Sequence, residues 1–174
     1  GTFVKDISKN QIDDITIKNQ FAGFTANSEG HEVKTLLLDF KIIPADEVIA
    51  EHLKIDEEDF VYLINRVRFV DEEAIVIEKT YMPLALFPSI KKSDAEKSIY
   101  DYIEDKMNLK IQSSHSVVRA SKSEELDRKY LKLEADEPVI EVERIGYLDN
   151  GKVFEYSFSR HRYDKFEFRA IIIR

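Results

Sequence analysis

The chain has 174 residues, 34% of them charged and 43% hydrophobic, and a net charge of −8. That length supports one domain with a substantial core, and the acidic balance argues against this chain gripping nucleic acid itself, because neutralising phosphates takes an excess of Lys and Arg. Cysteine is absent, which excludes disulfides and thiolate metal sites; no apolar run reaches the length of a membrane span and no signal peptide opens the chain, a pattern that fits the cytoplasm.

Residues 1–17 are polar and lack a clean period, so they read as a linker or lead-in, and the chain reads as a piece of a longer protein. Asn19 to His31 combines glycines, small polar residues, Phe21 and Phe24. That composition suits a loop with exposed backbone N–H groups, able to receive an anion or simply to lie on the surface. Glu32 to Ile43 is a strand candidate ended by Pro44. Ala45 to Leu53 reads as a short helix with Val48, Ile49 and Leu53 apolar.

The runs Phe60 to Val70 and Ala74 to Tyr81 are rich in Val, Ile, Phe and Tyr and flank a short acidic turn, Asp71-Glu72-Glu73, which predicts a hairpin. Symmetric closure sets Val70 opposite Ala74, Arg68 opposite Val76 and Arg66 opposite Glu78. Alternation of side chains then puts Arg66, Arg68 and Glu78 on one face. Such a face serves an anionic, hydroxyl-bearing ligand, or it is a cross-strand ion pair. Met82-Pro83 and Phe87-Pro88 break the second strand and begin a loop.

Ser98 to Ile103 opens a helix, with Ser98 as N-cap, Asp101 in the first turn, and Ile99, Tyr102, Ile103 and Met107 spaced as a core stripe. A hydroxyl at a helix start caps the helix and can also face an anion. Ile111 to Ala120 reads as a strand. Ser123 to Leu133 reads as a helix whose apolar side is Leu126, Tyr130, Leu131 and Leu133, with Leu126 expected in the core. Val139 to Leu148 and Lys152 to Arg162 form a second hairpin around Asn150-Gly151. In its second strand Phe154, Tyr156 and Phe158 are expected on one face, and Glu155, Ser157, Ser159 and His161 on the other. Phe166 to Ile173 is a final apolar strand. Strands outnumber helices and tight turns link them, so the predicted class is α+β on a mainly antiparallel sheet.

No phosphate loop, dinucleotide fingerprint, zinc-protease helix or nucleophile elbow is present. His31, His52, His115 and His161 are scattered without metal-ligand spacing, and no nucleophile, base and orienting partner assemble. Neither a metal, a cofactor nor a catalytic residue is expected. The positive signal is a polar pocket built from Arg66, Arg68, Glu78, Ser98 and Glu155.

That set, in that order, resembles the effector-binding (UTRA) domain of the HutC subfamily of GntR-type bacterial transcription regulators. The resemblance runs from about Gly23 to Ile173. It rests on Gly23-Phe24-Thr25, Arg66 and Arg68 with Glu78 twelve residues on, the Ser-Ile-Tyr-Asp-Tyr-Ile start at Ser98, the strand Asp136 to Arg144, and the ending Phe154 to Phe168. Ser159 to Arg162 looks somewhat like trehalose-operon repressors. The resemblance implies a chorismate-lyase-like fold, an effector domain over 18–174, and a linker over 1–17 from an N-terminal winged helix-turn-helix that binds operator DNA. It also implies a homodimer and a sugar phosphate or similar small anionic metabolite as ligand. By carry-over, Arg66 contacts the anionic group with Ser98 and the Phe24-Thr25 loop, and Arg68 supports it. Glu78 and Glu155 hold hydroxyl or amino groups. His161 stands where many sugar-phosphate members have tyrosine, and completes the expected site.

The resulting function is a ligand-sensing module, most often of a repressor, in which the effector shifts the dimer between states that position the DNA-binding heads. A chorismate-lyase-like enzyme and a dimerisation module with a vestigial pocket are the alternatives. Arg66→Ala is expected to remove effector binding and spare the fold.

Overall fold

The computed structural model describes residues 30–168. Among them six strands form one antiparallel sheet: β1 (Val33–Pro44), β2 (Phe60–Val70), β3 (Glu73–Pro83), β4 (Ile111–Lys122), β5 (Pro138–Leu148) and β6 (Val153–Arg162). Their order across the sheet is β1-β2-β3-β6-β5-β4. The two expected hairpins, β2–β3 and β5–β6, therefore meet at the centre through β3 and β6, and β1 and β4 lie at the edges. This is the α+β architecture the pattern predicts. The lead-in over 1–17, positions 19–29 of the expected loop and most of the expected last strand lie outside the described residues.

One face of the sheet carries α1 (Glu47–Leu53), which packs Ile49, Ala50 and Leu53 against Val61, Tyr81 and Tyr156. The other face carries a short α2 (Lys92–Ala95) and α3 (Ile99–Asp101), with Ile99 and Tyr102 packed against Tyr62, Ile64, Met82 and Phe154. The α2 turn is not legible in the sequence. A further helix, α4 (Glu125–Leu131), buries Leu131 against Val67, Ile77 and Val139.

Local chemistry explains the helix ends. Asp46 caps α1 by accepting from Ile49 N at 2.8 Å, and Lys54 closes it in the left-handed region at φ 57°. Ser98 caps α3 as expected, accepting from Asp101 N at 3.2 Å. Past Asp101 the backbone widens into a π-turn over Tyr102–Lys106, with Met107 N reaching Tyr102 O at 3.1 Å. Ile99, Tyr102 and Ile103 are nonetheless buried as a stripe.

Two helix faces differ from the sequence reading. Val48 is 54% exposed and Leu126 44% exposed, whereas Ala50 and Leu131 are buried. Both helices span only 7 residues, so the apolar stripe is one or two side chains wide, and the orientation is set by what the sheet offers. For α4 that is Arg160, which holds the buried Asp127 carboxylate through Nε and Nη2 at 2.7–3.1 Å.

The registers carry two further corrections. The acidic turn is the two residues Asp71 and Glu72, both at positive φ (49° and 69°), the geometry of a type I′ hairpin turn. Val70 consequently pairs with Glu73 and Phe69 with Ala74. A bulge at Ile75 then restores Arg68 opposite Val76 and Arg66 opposite Glu78, as predicted. In the β5–β6 hairpin Gly146 pairs with Glu155 and Tyr147 with Val153, leaving Phe154 as the extra residue. Phe154 is therefore turned away from Tyr156 and Phe158 and packs edge-on against Tyr100, with ring centroids 5.7 Å apart. Gly146 is required at that crossing. A Cβ there would sit 2.6 Å from the Phe154 ring and 2.8 Å from Glu155 Cγ.

Urea unfolding should separate the two leucines of α4. Leu131→Ala is expected to cost about 2–5 kcal/mol as a buried truncation, and Leu126→Ala at most about 0.5 kcal/mol as a surface change. Gly146→Ala should destabilise as well, because the contact it makes is with a buried ring.

Candidate functional site

Along one face of β2 the side chains run Tyr62, Ile64, Arg66, Arg68, and the polarity switches between the second and third. Below the switch the face joins the apolar core under α2 and α3. Above it the same face becomes a polar cleft of about 440 Å³, part of it open to solvent. Arg66 and Arg68 enter from β2, Glu78 and Thr80 from β3, Glu155, Ser157 and Ser159 from β6, and Arg144 from β5. Ser98, Ile99 and Tyr100 close it from above.

Arg66 is buried and fully engaged on one side. Its Nε donates to Glu78 Oε2 at 2.7 Å, and its Nη1 donates to the carbonyls of Ala95 and Lys97, both at 3.0 Å. It therefore ties the sheet to the segment that roofs the cleft. Arg68 reaches the same Glu78 oxygen at 3.4 Å. Burial pushes the Glu78 carboxyl up, but Arg66 and Arg68 outweigh that and hold it below the usual carboxylate range. Burial also pushes the Arg68 guanidinium below its ordinary value, against the pull of Glu78; it stays charged at neutral pH.

At the far side Tyr100 donates its hydroxyl to Glu155 Oε1. Burial raises the Glu155 carboxyl, against the Arg144 charge and the Tyr100 bond, and burial together with Glu155 raises the Tyr100 phenol well above its usual value. Arg144 Nε donates to Ser116 Oγ at 3.2 Å. The cleft thus holds three arginines against two glutamates. Hydroxyls of Thr80, Ser98, Ser157 and Ser159 lie between the charges. This arrangement can bind a hydroxyl-rich anion. No cleft serine hydrogen-bonds a histidine among the described residues, and no group of three His, Asp or Glu residues there could hold a metal ion.

Of the residues singled out in the sequence, Arg66, Arg68, Glu78, Ser98 and Glu155 come together here. Phe24 and Thr25 lie outside the described residues. His161 does not line the cleft. It sits on β6 between Val76 and Ile140, with its ring against Phe166 at 4.9 Å. Burial pushes it down to about 4 despite the nearby Glu78, so it is a neutral packing residue at the border of the site. Sequence reasoning missed Thr80, Tyr100, Arg144, Ser157 and Ser159 as lining residues. Strand alternation carries a signal for Thr80, Ser157 and Ser159. Arg144 is placed by the Phe154 bulge, which sets it opposite Ser157.

The profile of the UTRA domain family matches residues 28–167. The chain belongs to the UTRA domain family. It is 40% identical over 175 residues to the HTH-type transcriptional regulator GmuR of Bacillus subtilis, covering 100% of this chain and 73% of that protein. It is 33% identical over 177 residues to the mannosyl-D-glycerate transport/metabolism system repressor MngR of Escherichia coli, covering 100% of this chain and 71% of that protein. A crystal structure of a GntR-family transcriptional regulator from Bacillus cereus superposes with a TM-score of 0.71 at 37% identity, over 82% of this chain and 99% of that one. The relatives of this UTRA domain are thus bacterial transcription regulators, and no helix among its described residues is long and apolar enough to cross a membrane.

Two stability tests probe the charges of the UTRA cleft. Arg66→Ala removes one partner of a buried pair together with two carbonyl contacts, so it should cost about 3–5 kcal/mol; the expectation from sequence that it spares the fold does not survive these bonds. For His161 the folded-state value is depressed to about 4. The unfolded chain binds the extra proton first, so stability held above about pH 6.5 is lost as pH falls toward 4. Melting curves from pH 7 to 4 should show a shallower decline for His161→Gln than for the wild type.

Proposed function

We propose that this domain is the small-molecule sensor of a DNA-binding transcriptional repressor. The ligand is a sugar phosphate or a similar anionic, hydroxyl-rich metabolite, and its binding controls operator affinity allosterically. The observation that carries the reading is the excess of guanidinium over carboxylate in a cleft floored with hydroxyls. Arginine offers a planar fork suited to phosphate, and carboxylates and hydroxyls suit a sugar's hydroxyls. Names of relatives point the same way: one is a repressor of a mannosyl-D-glycerate system.

In this reading residues 18–174 form the effector unit and 1–17 lead in from a winged helix-turn-helix head, with the protein working in the cytoplasm as a homodimer. Arg66 couples ligand to structure, because the carbonyls it holds belong to the roof of the cleft. An anion that draws on Arg66 or Arg68 changes how Glu78 and that roof are held, and a dimer can transmit such a shift to its DNA-binding heads. The domain is not a catalyst in this reading, in keeping with its regulator relatives.

A thermal-shift panel tests it. The compounds are trehalose 6-phosphate, glucosamine 6-phosphate, N-acetylglucosamine 6-phosphate, fructose 6-phosphate, inorganic phosphate, urocanate and chorismate. One sugar phosphate should stabilise the fold by about 2.7 kcal/mol at 100 times its dissociation constant, with little effect of free phosphate. Turnover of chorismate would overturn the sensor reading in favour of an enzyme.

A further inference from the structure

The arginines of the cleft are not equivalent. Arg66 and Arg68 both pair with Glu78. On the opposite face of the sheet Arg160 is paired with Asp127 and Glu141. Arg144 differs from all of them. Its Nε donates to the Ser116 hydroxyl at 3.2 Å, at the rim, and no carboxylate of the described residues forms an ion pair with it. Its other neighbours are the Tyr100 phenol and, at longer range and without an ion pair, Glu155 and Glu78. The Glu155 carboxyl is already engaged by the Tyr100 hydroxyl.

Position adds to this. Arg66 lies on β2 and Arg144 on β5, with β3 and β6 between them. Strands in a sheet stand about 4.8 Å apart, so the two backbones are roughly 14 Å apart across the floor. Thr80, Ser157 and Ser159 occupy the interval. A half-buried guanidinium whose hydrogen-bond partners are hydroxyls keeps donors for a charged ligand. An arginine kept for structure is usually tied to carboxylates, as Arg160 is.

We infer that Arg144 is a second anion-binding pole, and that the effector is a sugar derivative anionic at both ends, with its hydroxyls on the Thr80–Ser157–Ser159 floor. This inference rests on the sensor reading above and narrows its ligand class. The Arg66–Arg68 end takes one anionic group. Arg144, steadied by Ser116, takes the other, whether a carboxylate or a second phosphate.

Titration calorimetry at constant ionic strength tests it with glucose 6-phosphate, 6-phosphogluconate and fructose 1,6-bisphosphate. The wild type should bind at least one doubly anionic compound roughly tenfold or more tighter than glucose 6-phosphate. A preference for 6-phosphogluconate marks a carboxylate pole, and one for the bisphosphate a phosphate pole. Arg144→Gln should bring the affinities together, and Arg144→Lys should keep part of the preference, which a purely structural role would not produce. Circular dichroism and melting curves establish that each variant folds. If glucose 6-phosphate binds but neither doubly charged compound is preferred, or if the preference survives in Arg144→Gln or is lost in both variants, the second pole is wrong and the sensor reading stands. If the wild type binds none of the three, the second pole is wrong, and the thermal-shift panel above decides the sugar-phosphate reading separately.

Discussion

The cross-strand pair of Arg66 and Glu78 is the interaction on which the rest of this domain depends. It joins β2 to β3 in the upper half of the sheet, where the apolar core has ended. The same guanidinium reaches upward to the carbonyls of Ala95 and Lys97, so it also fixes the segment that roofs the cleft. A buried ion pair is a weak source of net stability, since desolvation offsets most of the Coulomb gain. What it supplies here is position: one side chain holds the floor and the roof in a fixed relation, and any ligand that competes for it alters both.

Charge in the cleft is graded from one side to the other. At the β2 side Glu78 serves two arginines and is held ionised by them. At the β5 side Glu155 is buried with a phenol for a partner, and its carboxyl is pushed up. Two carboxylates on one face thus have different tendencies because their neighbours differ, and the balance of the cleft is cationic while the chain as a whole carries −8. An acidic protein with a cationic cleft discriminates against polyanionic surfaces while accepting a small anion.

Irregularities in the sheet make that cleft possible. The bulge at Ile75 keeps Arg66 opposite Glu78 although the hairpin turn is one residue shorter than the sequence suggests. The bulge at Phe154 puts an aromatic ring and the Glu155 carboxylate on the same side of β6, one packing under Tyr100 and the other bonded to its hydroxyl. Gly146 permits both by having no side chain at the crossing. A one-residue shift exchanges the faces of a strand, and here it separates Phe154 from Tyr156 and sets Arg144 beside Ser157.

The amino-acid sequence by itself determined the strand-rich α+β class, both hairpins, the Ser98 cap and the shared face of Arg66, Arg68 and Glu78, because each depends on short-range alternation or local capping. It also carried the motifs that mark the UTRA family. Only the tertiary structure decided which side of the short helices is buried, as Leu126 and Val48 show, since a helix of two turns takes its orientation from the sheet beneath it. The same holds for Arg144, whose place depends on a bulge in the neighbouring strand, and for His161, which alternation puts on the cleft face and which packing against Phe166 holds at its border. Bulges and docking angles are set by contacts between residues far apart in the chain, and no local pattern encodes them.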